Sequence, residues 1–168
     1  YWYLGRSLLA SALMYANVFF YNTGGYFSAP AIEKPLLHTW SLAVEDQFYL
    51  TWPLILMFLT RIGPSGALRV VLALAVVSLA YCEFTLARNS EAAFFLLPSR
   101  AWELLVGATI ALRAPRRSLV SEWANAVTVA GVAAILASFW LLRGDGHFPG
   151  LGAIPACAGT AAIITANL

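Results

Sequence analysis

The sequence predicts an all-α fold, a polytopic transmembrane helix bundle with about six crossings. Composition is the first reason. Of 168 residues, 61% are hydrophobic and only 11% are charged, against about 25% charged in a soluble domain. The second is a mean hydropathy of +0.75, spread over more long uncharged runs than a single soluble core needs. The third is punctuation: charged or Gly/Pro-containing loops separate runs close to bilayer length. A net charge of +2 without a basic run argues against a nucleic-acid partner. The bilayer is the expected partner. Cys82 and Cys157 lie inside apolar runs with no spaced motif, so they read as small buried side chains and no metal site is expected. The chain lacks a starting Met, opens in aromatic sequence and closes inside an apolar run. It is expected to be an internal portion of a longer protein.

Segment A, about Tyr3 to Tyr21, is a short crossing with Arg6 snorkelling near its start and Asn17 serving helix packing. A loop with Gly24, Gly25, Pro30 and Glu33–Lys34 follows, and Tyr21, Tyr26 and Phe27 suit an interfacial belt. Segment B, His38 to Thr60, is fixed by length. Only 14 uncharged residues separate Asp46 from Arg61, and a crossing needs about 20. Starting at His38 gives 23 residues and places Glu45 and Asp46 in the membrane or at its boundary. A central charge costs about 2.5–3.5 kcal/mol, so such groups face a cavity or a partner; capping in the headgroup layer is the plainer alternative. At about 100° per residue, His38, Glu45 and Tyr49 fall within roughly 20° of one line, with Ser41 about 60° to one side and Asp46 about 80° to the other. Trp40 and Trp52 suit anchoring and packing, and Pro53 should kink the helix.

After the Gly63-Pro64-Ser65-Gly66 turn, segment C covers about Ala67 to Leu86, and a polar loop runs from Arg88 to Glu91. Segment D, about Ala92 to Leu112, carries Arg100 and Glu103 at a pairing distance of three residues. If Pro98 starts the helix, the pair lies in its opening turns; if the helix begins at Ala93, the pair is intramembrane. The pair either locks two helices together or faces the same cavity as His38 and Glu45. Arg113, Arg116 and Arg117 form a basic loop, and segment E, Trp123 to Leu142, is 20 residues without a charge. His147 is expected to be solvated. Segment F, Phe148 to Leu168, is rich in Gly and Ala and suits close helix packing. Six crossings leave Arg6, Arg61, Arg69, Arg113, Arg116 and Arg117 on one side, and Lys34, Arg88, Arg100 and Arg143 on the other. That six-to-four bias places the first group in the cytoplasm and the His38 end outside it.

HTWSLAVEDQFYLTWPL from His38 and FFLLPSRAWELLVGA from Phe94, with YFSAPAIEKPLLHTW leading into the first, resemble the bacterial acyltransferase family 3, integral membrane O-acyltransferases. The likeness covers most of the first 112 residues and fades after Arg113. The resemblance implies a domain of about ten crossings, each of about 20 residues, in a bacterial inner membrane. It implies transfer of an acyl group, typically acetyl from acetyl-CoA, to a carbohydrate such as peptidoglycan, lipopolysaccharide O-antigen or exopolysaccharide. Asp46 stands where the family commonly has a second glutamate. The family's first helix, with an arginine and a histidine about ten residues apart, is absent. Residues 1–168 are therefore expected to be a partial acyltransferase domain, inactive alone, whose principal histidine lies upstream.

Acyl transfer to a hydroxyl requires a base, an oxyanion donor and a positioned thioester. His38, Glu45 and Tyr49 are the catalytic candidates, and Trp40, Ser41, Asp46, Gln47, Arg100 and Glu103 the substrate-binding ones. His38 and Glu45, seven residues apart, are separated by roughly 10.5 Å on one helix, too far for a direct hydrogen bond. They form one wall of a site whose other groups lie on other helices: a polar passage with Arg100 and Glu103 nearby. No Gly-rich phosphate loop marks a CoA site; the arginines at 113, 116 and 117 serve either CoA phosphates or topology. Two other readings remain: a transporter or flippase-like protein with a His/Glu relay, and a structural membrane module whose polar groups hold helices together.

Overall fold

A computed structural model describes residues 1–24, 34–113, 121–141 and 148–168. The expectations at Gly25, Tyr26, Phe27, Pro30, Glu33, Arg116, Arg117, Arg143 and His147 lie outside the described residues. The helices are α1 (Trp2–Ala12), α2 (Ala16–Asn22), α3 (Thr39–Leu59), α4 (Gly63–Leu86), α5 (Ser90–Phe95), α6 (Leu97–Arg113), α7 (Ser121–Leu141) and α8 (Ile154–Ala166), and no strand occurs among the described residues. The all-helical architecture is the expected one. Among the described residues, three stretches are long and apolar enough to cross a bilayer: Thr39–Leu86, which contains both α3 and α4, Ser90–Arg113 and Trp123–Trp140. Segments A and F enter as shorter helices.

Segment A does not run as one helix. Met14 adopts φ 55°, and the chain reverses there. Tyr15 N–H donates to the Ala10 carbonyl at 2.8 Å and Met14 N–H to Ser11 at 3.2 Å, the paired bonds of a helix ended by a left-handed residue. α1 and α2 form a hairpin: the Tyr3 ring lies 5.5 Å from Phe19, and the Tyr3 and Thr23 hydroxyls are 3.4 Å apart. Lys34 Nζ, just before α3, donates to the Thr23 carbonyl at 3.2 Å. Both ends of the hairpin therefore lie beside the start of α3. Arg6 moves to the Lys34 side, which leaves five basic residues on each side. The basic residues no longer favour either orientation.

α3 and α4 form a second hairpin, turning at Gly63 with φ 73°, a region open to glycine and strained for other residues. α4 packs along α6. Leu96 is extended (φ −93°, ψ 139°), and α6 starts at Leu97 with Pro98 in its first turn, where a missing N–H breaks no helical hydrogen bond. Arg100 thus falls in its first turn and Glu103 in its second. Ser78 of α4 sets the height of α6: its hydroxyl donates to the Pro98 carbonyl at 2.6 Å and accepts from Trp102 N–H at 3.0 Å. This hydroxyl stands between a carbonyl and an amide that a regular helix would pair with each other.

α7 and α8 meet at two glycines. A Cβ on Gly159 would come within 2.6 Å of the Gly131 carbonyl oxygen, and one on Gly131 within 2.7 Å of the Gly159 oxygen. This is the close backbone approach expected of a small-residue helix. α8 also touches α6, and its entry is held by Glu83 of α4, which accepts from Leu151 N–H at 2.6 Å.

A candidate acyl-transfer cleft between the third and sixth helices

Trp40 anchors the site. It is buried among Ala16, Phe20, Leu37, Ala43, Val44 and Phe95, with its ring 4.5 Å from Phe94 and 5.2 Å from Phe95. The aromatic floor follows from the break at Leu96, which turns the Phe94–Phe95 pair of α5 back toward the opening of α3. Arg100 lies over this floor. Its guanidinium carbon is 5.6 Å from the Trp40 ring centre, 5.8 Å from Phe94 and 5.5 Å from Phe148. Three ring faces within about 6 Å of one cation make a caged arginine.

Arg100 Nη2 donates to Glu103 Oε2 at 2.8 Å, with side chains 18% and 21% exposed. Trp40, Ser41, Val44 and Glu45 of α3 join Arg100, Glu103 and Leu104 of α6 around a cleft of about 60 Å³. Two carboxylates and one guanidinium leave it one negative charge when all are ionised. Glu103 Oε1 is buried with no hydrogen-bond partner among the described residues. Such an oxygen forgoes about 1–3 kcal/mol or more until a donor reaches it.

Of the nine candidates, Trp40, Ser41, Glu45, Arg100 and Glu103 share this cleft. Tyr49 lines a second, larger hollow of about 450 Å³ between α3, α6 and α8, and Glu103 lines that one too. His38 is exposed at the residue preceding α3 and lines neither. Asp46 is half-buried on the flank of α3. Gln47 faces the α1–α2 hairpin: its Nε2 donates to the Met14 carbonyl at 2.7 Å and to Asn17 Oδ1 at 2.8 Å. Asn17 Nδ2 returns a bond to Gln47 Oε1 at 3.3 Å and another to the Phe95 carbonyl at 3.1 Å. Gln47 thus closes the carbonyl freed where segment A breaks. Phe94 and Phe148 were absent from the sequence-derived set, because their approach to Arg100 depends on the turn at Leu96 and on the packing of the chain entering α8.

The chain resembles several known proteins. It is 34% identical over 129 residues to a Komagataeibacter xylinus protein named as a membrane-bound transacylase, BcsY, a match covering 76% of this chain and 32% of that one. It is 30% identical over 176 residues to an uncharacterized Haemophilus influenzae protein, covering 95% of this chain and 70% of that one. It is 31% identical over 147 residues to the O-acetyltransferase OatA of Staphylococcus aureus, covering 80% of this chain and 24% of OatA. The matched region is thus about a third of the transacylase and a quarter of OatA. No solved structure matches the chain. The acyltransferase domain model takes in residues 1–167, and with these relatives it shows that the chain belongs to acyltransferase family 3.

Proposed function

We propose that the protein is a membrane O-acyltransferase that moves an acetyl group from acetyl-CoA to a hydroxyl of a cell-envelope carbohydrate, such as peptidoglycan, lipopolysaccharide O-antigen or exopolysaccharide. Family membership and the likeness to an O-acetyltransferase support the reaction class. The observation that carries the reading to particular residues is the shared cleft of Glu45, Arg100 and Glu103 over Trp40. The sugar oxygen attacks the thioester carbonyl, its proton passes to a base, the C–S bond breaks and the thiolate leaves. Glu45, open to the cleft, receives the hydroxyl proton directly or orients a base from elsewhere in the protein. Arg100, held flat by three rings, supplies N–H donors to the developing oxyanion. Trp40, buried beneath Phe94, Phe95 and the guanidinium, positions Arg100.

The sign of the cleft matters. Two carboxylates and one guanidinium do not attract the phosphates of CoA, whereas sugar hydroxyls donate well to carboxylates. The cleft is the acceptor side, and the CoA phosphates bind elsewhere. The test uses the full-length protein in cells, with mass spectrometry of envelope glycans. Glu45→Gln and His38→Ala are made separately, and membrane insertion is checked for each. Glu45→Gln should lower acetylation at least about 100-fold, the usual weight of a general base. Unchanged acetylation in Glu45→Gln would remove the cleft from the mechanism. Because His38 lies outside the cleft, its substitution tells whether other parts of the protein bring it into play.

A further inference from the structure

We infer that Glu83 of α4 is a positioning residue for acyl transfer: its carboxylate holds the chain entering α8 so that Phe148 stays against the Arg100 guanidinium. The inference rests on the functional reading above and adds a residue to it. Two of the three rings around Arg100 are fixed by helices. Trp40 is buried in α3, and Phe94 belongs to α5 with its ring 4.5 Å from Trp40. Phe148 differs. It precedes α8 and is 43% exposed, yet its ring lies 6.2 Å from Phe94 and 5.5 Å from the guanidinium carbon. Something other than its own burial keeps it there.

The backbone just after Phe148 supplies the hold. Pro149 and Gly150 are buried, and Leu151 N–H donates to Glu83 Oε1 at 2.6 Å. A backbone N–H given to a carboxylate is among the stronger hydrogen bonds. Leu151 opens the short helical turn Leu151–Ala153 that leads into α8, where N–H groups find no partner within their own helix. Ala153, at the end of that turn, is buried in one cluster with Cys82, Ala93 and Trp102. Neighbouring residues of α4, Cys82 and Glu83, thus grip the chain three to five residues beyond the ring. Gly150 keeps the carboxylate's place clear. A Cβ there would run into Glu83 Oε1, the far end of a flexible side chain, so Gly150→Ala displaces the carboxylate rather than the backbone. Glu83 lines neither the cleft nor the larger hollow, so its route to Arg100 is the Phe148 ring.

The test uses the full-length protein. Fluorine NMR in lipid nanodiscs follows a para-fluorinated phenylalanine at position 148, and envelope glycans are analysed in cells carrying the same variants, normalised to membrane-inserted protein. Arg100→Gln should move the fluorine resonance, because the ring loses its cation. Glu83→Ala and Gly150→Ala should move it as well, and Glu83→Gln, which keeps an acceptor oxygen, should leave it in place. Acetylation should fall about threefold to tenfold in Glu83→Ala, the weight of one ring face on a cation, and Glu83→Gln should restore it. Phe148→Ala should lower acetylation by a similar factor, and adding Glu83→Ala to it should lower acetylation no further. Losses that multiply in the double variant would mark a separate, merely structural role and overturn the inference, as would a resonance that ignores Glu83→Ala or Arg100→Gln. The two proposals fail differently. Normal acetylation in Arg100→Gln removes Arg100 from the reaction, and the positioning role of Glu83 with it. Normal acetylation in Glu83→Ala beside its loss in Arg100→Gln removes Glu83 alone.

Discussion

Arg100 touches three aromatic faces and one carboxylate, and a planar guanidinium is what makes this possible. Lysine keeps the charge and loses the plane. Arg100→Lys should therefore behave as a damaging substitution, with acetylation reduced at least about tenfold and stability lowered by about 1–2 kcal/mol from the lost ring contacts. Envelope glycan analysis and thermal unfolding in detergent read the two effects. Asn17 offers a second test. It is buried and bonded to both Gln47 and the Phe95 carbonyl, so Asn17→Ala leaves a buried carbonyl and an amide short of partners and should cost about 1–3 kcal/mol. The double variant with Gln47→Ala should cost less than the sum of the single changes, because each partner orphans the other. At this scale the sequence was partly legible. A lone asparagine in an apolar run already pointed to packing, whereas the face read for His38, Glu45 and Tyr49 did not become one wall: Glu45 lines the cleft, Tyr49 the larger hollow and His38 neither. The amide of Gln47 was not legible as a hairpin clamp, since no local signal showed that the chain thirty-odd residues earlier would break opposite it.

That break belongs to the scale of elements. Helix reversals usually carry Gly or Asn at the left-handed position, and here the residue is Met14, within an apolar stretch that reads as continuous helix. Met14→Gly should hold or raise stability, whereas Met14→Ile should lower it by about 1–2 kcal/mol, because a β-branched side chain tolerates positive φ poorly. The hairpin also fixes sidedness. In a cysteine-free background, single cysteines at the exposed positions Trp2 and His38 should react with a membrane-impermeant maleimide from the same face of the membrane. Reaction from opposite faces would restore segment A as a true crossing. Segments B to E were legible because length, Pro98 and the Gly63 turn leave few alternatives. Pro98 in particular left two helix starts open, and the extended Leu96 selects the later one.

Over the whole molecule, the sequence specified helices more readily than their neighbours. A Gly/Ala-rich run predicts close packing, but it does not say that Gly159 will face Gly131. The structure does, and it leaves no room for a methyl group there. Gly159→Ala should cost about 1–3 kcal/mol by overpacking, read as a drop in thermal stability, because the added methyl meets the Gly131 backbone oxygen, which no side-chain motion relieves. The site is likewise a product of assembly. Its carboxylate on α3 was visible in the sequence, whereas its aromatic cage comes from α3, α5 and the chain leading into α8, three elements far apart in the sequence.

The hydroxyl of Ser78 makes that dependence concrete. It sits on a helix that contributes nothing to the cleft, yet it bridges the backbone on either side of Arg100. Replacing it with alanine would let the first turn of α6 tighten on itself and slide the guanidinium relative to its rings. A genetic screen for bacteria that have lost envelope acetylation should return alleles at codon 78 that still produce normal amounts of membrane-inserted protein.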